Sequence, residues 1–477
     1  MTAPRLIVAG YCSSDSARLL AVFDPPLREG SQAYLNYKIQ DQIGFVSART
    51  ENAPPYSYAF FEIDLLPSGS DGAWLHYSID SRSREEAPSF EYRLKLLPDS
   101  RPLKIALLSC NGTYRVKDEN RRYLLWRALK EQIEAGNVDI VIHAGDQIYA
   151  DSVAMQEREA SGSTPSERTA QLTSMYRKTY MDTWSAPDIA SVLKSCPSLM
   201  MWDDHDIFDG YGSHSDDSSE LAQTIFSAAK KAFWEFQARK NPPRWNENSF
   251  SFGLEVGNSA FLVLDCRTNR MWSEGRILGG NEMGDVENWL QQTAGRKAHN
   301  LFVVTAIPFL HVPFLSYLKL LEITGSPGGL VEDLRDSWTA ANNIQEGRRL
   351  LDALFRFQIQ SPATRIVLLC GDVHVATVGK IQSMASNASI HQIVSSGIGS
   401  PPPYGIVRML LRWASSETVS LFDGLYTGRL KRLSSPENGF LLAKRNFAIL
   451  DLAKSDRVQF FADYDGKVVS FEQSLAT

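Results

Sequence analysis

An α/β domain preceded by a small β-sandwich is the architecture that this sequence predicts, and three observations carry it. Residues 1 to about 98 hold short alternating or aromatic-rich segments separated by Pro and Gly clusters. From Leu103 onward, apolar strands alternate with helical stretches in the manner of βαβ units. The chain has 477 residues, more than one hydrophobic core usually organises, so two domains are expected, 1–98 and 103–477.

In the first unit, 33–39 (AYLNYKI), 59–65 (AFFEIDL) and 90–97 read as strands, with Pro25-Pro26, Pro54-Pro55 and 67–72 as breaks. Leu66-Pro67, followed by Trp74 and Tyr77, is similar to the corner that closes an immunoglobulin-like or fibronectin-like sandwich. Residues 98–102 (PDSRP) read as a linker. In the second unit, 105–108 is a buried strand that ends in Ser109-Cys110-Asn111-Gly112. Residues 119–135 predict one amphipathic helix with Leu124, Leu125, Leu129 and Ile133 on one side. A second strand, 138–143, ends at Gly145-Asp146. Further strands are expected at 259–265, 300–305, 364–370, 447–450 and 458–461, and a surface loop at 160–167 (ASGSTPSE). Strands of this kind present function in the loops after their carboxyl ends.

Apolar residues make up 43% and charged residues 22%, as in ordinary globular chains. A net charge of −6 argues against a general nucleic-acid binder, whose affinity rests on a cationic surface. It leaves a small anionic substrate open, because metal ions reverse the local field of a site. The start has one Arg and too short an apolar run for a secretory signal, and the apolar run at 407–413 is broken by Arg408 and Arg412. With five scattered cysteines, an odd count, this reads as a cytoplasmic chain with free thiols and no membrane span. Oligomeric state is not legible.

Three segments are rich in hard ligands, and each follows a strand-like or apolar run. They are Gly145-Asp146-Gln-Ile-Tyr149-Ala-Asp151, Trp202-Asp203-Asp204-His205-Asp206-Ile-Phe-Asp209 and Gly371-Asp372-Val-His374. Clustered carboxylates repel one another and need water or cations. Asp and His donors suit Fe, Mn or Zn, and all-oxygen sets suit Ca or Mg. A pair of metals ~4 Å apart can clamp a phosphate and activate a water. The alternatives are structural. Asp146 and Asp372 would cap helices, Tyr149 would be a core aromatic, Cys110 a buried thiol, and His205 a histidine held by a neighbouring Asp. His143, His214, His311 and His391 read as structural or surface residues.

GDQIYAD, WDDHD and GDVH, in this order, resemble the PhoD-like alkaline phosphatase family of calcineurin-like metallophosphoesterases. GDQIYAD also resembles the GDxxY element of purple acid phosphatases. The resemblance runs from roughly Pro102 to His374 and includes Tyr176 and Trp184. It implies a four-layer α/β/β/α metallophosphatase domain behind a β domain. It also implies hydrolysis of a small phosphomonoester or phosphodiester by a metal-activated hydroxide. Two or three metal ions are implied, a ferric ion with Ca, Mn, Mg or Zn. Asp146 would bridge the metals. Tyr149, Cys110 and His374 would bind the ferric side, and Asp204 and Asp372 the second metal. His205 would orient the substrate and protonate the leaving alkoxide. Asp209 and Asp203 would belong to a further, calcium-like site.

The sequence also departs from the superfamily. Ser109-Cys110-Asn111 stands where Asp-x-His is usual, and Thr305-Ala-Ile-Pro308 lacks the usual His, which His311 could restore. Fewer histidines on the second metal point to calcium, manganese or magnesium there rather than zinc. A non-catalytic metal-binding interaction protein on the same scaffold is the rival reading.

Overall fold

The computed structural model describes residues 3–64, 71–81, 90–159, 164–214, 216–296, 298–310, 335–402, 418–451 and 456–475. The Leu66-Pro67 corner, His311 and the 407–413 run lie outside them.

The first segments form two antiparallel four-stranded sheets. One is ordered Leu6–Cys12, Ser16–Phe23, Tyr56–Asp64, Glu51–Ala53, and the other Gln42–Arg49, Gln32–Ile39, Trp74–Asp80, Tyr92–Lys95. Strand side chains alternate between faces. In Ser16–Phe23, Ala17, Leu19, Ala21 and Phe23 enter a core shared with Leu35, Phe61, Leu75 and Tyr77 of both sheets. Leu20 and Val22 on the other face join a different core, with Tyr180, Trp184 and Phe236. This strand is apolar on both faces because both are covered. The 98–102 segment is held down as well, since Lys95 and Arg101 both pair with the buried Asp139, at 2.6 and 2.7 Å.

The rest of the described chain builds two larger sheets. The six-stranded sheet is ordered Ser198–Met201, Ile140–Ala144, Lys104–Leu108, Asn446–Asp451, Arg457–Tyr464, Lys467–Ser474. Its first three strands are parallel. The eight-stranded sheet runs in parallel from Ser259–Val263 through Asn300–Thr305 and Arg365–Cys370 to Ser389–Ser395. Ile105, Leu107, Ile140 and Ile142 share a core with Leu262, Val303 and Leu368 of the larger sheet. Ala106, Leu108 and Val141 face the helical side chains Leu125, Trp126 and Leu129 instead. Two covered faces explain why these strands read as unbroken apolar runs.

Two local expectations change. The helix expected over 119–135 is split into Glu119–Arg122 and Leu124–Glu134. The carbonyls of Arg121 and Arg122 accept from the Arg445 guanidinium at 2.5 and 3.1 Å, which turns the backbone out of the helix at Tyr123. Of the loop expected over 160–167, residues 160–163 lie outside the described residues, and Thr164 and Glu167 form a reciprocal capping box that starts the helix Pro165–Trp184.

Candidate metal centre

Each donor expected from the sequence sits on a loop after the carboxyl end of a strand. Cys110 follows Lys104–Leu108, Asp146 and Tyr149 follow Ile140–Ala144, Asp204 and His205 follow Ser198–Met201, and Asp372 and His374 follow Arg365–Cys370. Four of them occupy the left-handed backbone region: Cys110 (φ 55), Asp146 (φ 56), Asp372 (φ 65) and His374 (φ 52). Only a few per cent of non-glycine residues do so, and such conformations persist where the surroundings over-determine them, often at functional sites. The glycines ahead of the two aspartates bring the loops together. A Cβ on Gly145 would lie 2.6 Å from the Asp203 Cβ, and one on Gly371 would lie 2.2 Å from the Ala144 carbonyl oxygen.

The side chains form three overlapping groups, each with donor atoms within 4.8 Å of one another. Cys110, Asp146 and His374 make the first, Asp146, Asp204 and His205 the second, and Asp203, Asp204 and Asp372 the third. Asp146 is common to the first two and Asp204 to the last two. Tyr149 joins the first group, since its hydroxyl lies 3.0 Å from His374 Nε2 and donates to Asp146 Oδ2 at 3.3 Å. The Cys110 thiol lies 3.1 Å from Ser396 Oγ. The His205 ring lies tilted by 31° against Tyr149 with centroids 4.1 Å apart, and its Nδ1 is 2.8 Å from Asp151 Oδ1.

Protein charge alone does not balance this cluster. Burial pushes the Asp146 carboxyl well above its ordinary range; His205 opposes this and the Asp204 and Asp203 carboxylates reinforce it. Burial does the same to Asp372, helped by Asp203, Asp336 and Asp204. Burial and the nearby Asp146 carboxylate also raise Cys110, and burial with Cys110 and Asp146 raises Tyr149. His374 is lowered to about 3 by burial, with His205 and Arg115 adding to it. For His205, burial opposes protonation but is outweighed by Asp204, Asp146 and Asp151, which hold the imidazole well above its usual range. Asp146 Oδ1 and Asp203 Oδ2 are buried without a hydrogen-bond partner among the described residues. Orphaned carboxylate oxygens, facing a thiol, a phenol and an imidazole that need only lose protons to become ligands, fit bound cations.

Two aspartates fall differently from the expected calcium-like pair. Asp209 stands outside the three groups, its side chain 64% exposed at the rim, 3.8 Å from His205 Nε2. Asp203 is fully buried beside Asp204 and Asp372, so the two do not converge on one site. The sequence pattern also missed several supports. Arg267, fully buried, pairs with Asp203 and with Asp336 at 2.5 Å. Asp206 ties the loops by accepting from the Asp203 and Gln147 amides at 3.0 and 3.3 Å. Arg115 lies 4.5 Å above the Tyr149 ring and 4.0 Å from Asp151. Asp151 lay within the GDQIYAD motif, whereas Arg267 and Asp336 carried no local signal.

Loops at strand ends thus converge on a carboxylate-rich, thiol- and phenol-bearing cluster of candidate metal donors. The chain belongs to the PhoD-like phosphatase family, whose sequence model matches residues 105–412. The solved structure of PhoD superposes with a TM-score of 0.65 at 15% identity, covering 98% of this chain and 88% of that one. Purple acid phosphatase PPD1 from yellow lupin (Lupinus luteus) seeds gives 0.55 at 14% identity, covering 99% and 74%. Among curated proteins, YGR266W of Saccharomyces cerevisiae is 23% identical over 405 residues, 68% of this chain and 56% of its own length. The chain thus spans a little over half of that relative. Among the described residues, no helix is long and apolar enough to cross a membrane.

Proposed function

We propose that this chain is a metal-dependent phosphoesterase acting on a small phosphate ester. The observation that carries the reading is Asp146, shared between a Cys110/Tyr149/His374 group and an Asp204/His205 group. Cys110, Tyr149 and His374 would hold one ion, suited to Fe(III), with Asp146 between. Asp204 and Asp372, with Asp203 beside them, would hold a second, Ca, Mn, Mg or Zn. Ions there would lower the pKa of a bound water and offset the charge of the phosphoryl oxygens. The similarity to PhoD also supports a four-layer α/β/β/α reading of the two large sheets, with the two small sheets as a separate β-sandwich domain.

The chain's own residues supply orientation and a proton. Asp151 accepts from His205 Nδ1–H, which fixes the ring and leaves Nε2 for the substrate. Nε2–H is then the donor to the departing alkoxide oxygen. Arg115, whose guanidinium lies 4.5 Å over the Tyr149 ring, would meet the incoming phosphate. Metal analysis, with hydrolysis of an aryl phosphate and a bis-aryl phosphate, tests the reading and separates monoesterase from diesterase. A metal-replete protein that hydrolyses neither would return the chain to the non-catalytic reading.

Loss of His205 is expected to discriminate between leaving groups. An alkoxide needs a proton and a nitrophenolate scarcely does, so His205→Ala should slow alkyl esters by about a hundredfold or more and nitrophenyl esters far less. Equal losses on both would assign His205 to metal binding or orientation.

Tyr149 is expected to report the metal. A phenolate is a hard anion, and ionising it in this buried setting requires a strong local cation. Iron-loaded protein should therefore be coloured by phenolate-to-iron charge transfer. Tyr149→Phe should bleach that band, while Asp372→Asn should leave it largely in place. A colourless, iron-replete, active wild type would remove Tyr149 from the ligand set.

A further inference from the structure

Beside the metal centre lies a second opening, a cleft of about 480 Å³. Five cations line it, Arg115, Lys117, Arg121, Lys444 and Arg445, against three carboxylates, Asp118, Asp463 and Asp465. The cations are not equally engaged. Arg121 and Arg445 both bond Asp463, at 3.1 and 2.7 Å. Lys117 is exposed and has no ion pair among the described residues. Among the described residues, the Lys444 ammonium lies 4.0 Å from the Glu437 carboxylate and 4.9 Å over the Tyr464 ring. Arg115 is likewise 4.0 Å from Asp151. The cleft thus carries an excess of positive charge, concentrated in Arg115, Lys117 and Lys444, in a chain whose net charge is −6.

The cleft borders the surroundings of Tyr149 on two sides. Arg115 belongs to both, because its guanidinium lies 4.5 Å over the Tyr149 ring. On the other side, Ser400 donates to the Tyr149 hydroxyl at 2.8 Å, and the next residues, Pro401 and Pro402, line the cleft. A ligand with one phosphate at the metal donors that extends past Arg115 would enter a cleft that Lys117 and Lys444 also line.

We propose that this cleft is a subsite for a second phosphate of the substrate, so that the preferred ester is one whose leaving alcohol carries a phosphate of its own. This rests on the phosphoesterase reading above and narrows its substrate class. Hydrolysis breaks one P–O bond and adds water across it. It releases inorganic phosphate and an alcohol that retains the second phosphate. The two lysines bind that phosphate and take no part in the bond that breaks.

The test compares butane-1,4-diol bisphosphate with butyl phosphate on the metal-replete full chain, as wild type and as Lys117→Ala/Lys444→Ala. Two solvent-accessible charge pairs should give the wild type a kcat/KM about tenfold higher for the bisphosphate, carried by KM. That exceeds the statistical advantage of its two equivalent ends. The double variant should lose the preference and keep its rate on butyl phosphate. Equal kcat/KM in the wild type, or a preference that survives in the variant, overturns the subsite. Calorimetric titration with both compounds reads the subsite without turnover. Bisphosphate that binds about tenfold tighter than butyl phosphate, and only while the lysines are present, sustains the subsite even if neither ester is hydrolysed. That combination would refute the phosphoesterase reading alone.

Discussion

Asp146→Asn is expected to abolish phosphate-ester hydrolysis, with a loss on the order of a thousandfold or more, and to lower bound metal while the fold persists. Asp146 is the donor shared by the thiol-bearing group and the carboxylate–histidine group, so its loss weakens both at once. The amide keeps the volume of the carboxylate and removes its charge. The Asp146 backbone should survive, because its left-handed φ of 56° suits Asn as well as Asp, and its carbonyl still accepts from the Asn111 amide at 2.8 Å. Burial disfavours the Asp146 charge when no cation compensates it, so the metal-free variant should be no less stable than the metal-free wild type. Elemental analysis, circular dichroism and turnover of a nitrophenyl ester check the three parts separately. Full activity in this variant would remove the whole metal-site assignment.

How much of this site could be read from the chain depended on where each charge lies. The strands at Lys104–Leu108, Asn300–Thr305 and Arg365–Cys370 were legible because both faces are buried and the runs are apolar without interruption. The candidate donors stand out in the sequence because each sits within a few residues of a strand end, most of them near a glycine or in a dense acidic run. Asp209 was grouped with Asp203 because both lie in one acidic segment. The 3-10 turn at Asp204–Asp206 separates them, sending Asp203 inward to Arg267 and leaving Asp209 at the rim. The break at Tyr123 was hidden because its cause, Arg445, lies far along the chain. Arg267 was hidden for the same reason: a lone arginine has no period and no motif, and its partners Asp203 and Asp336 come from distant segments.

Arg267→Ala is therefore expected to produce the largest loss of stability of any single change near the site, about 3–5 kcal/mol. The guanidinium is fully buried, pairs with Asp203 and Asp336, lies 3.7 Å from Asp204, and donates to the Tyr211 carbonyl at 3.0 Å. Removing it leaves Asp203 fully buried beside Asp204 and Asp372 without the one cationic partner it has among the described residues, while Asp336 keeps Arg270 at 2.8 Å. An uncompensated buried charge costs more than the lost pair was worth. The carboxylates then have two outlets, protonation or a metal ion. Divalent metal should recover part of the loss, about 2.7 kcal/mol at a hundredfold excess over its dissociation constant. The recovery should be larger in Arg267→Ala than in the wild type, because the variant offers the ion one more unpaired carboxylate. Arg267→Lys keeps the charge but not the fork that spans two carboxylates, so it should fall between the two and remain foldable if the alanine variant does not. Denaturation midpoints of metal-stripped and metal-replete protein decide the matter. A midpoint unchanged in both variants would mean that Asp203 is neutral in the folded chain and that Arg267 does not hold the carboxylate face of the site.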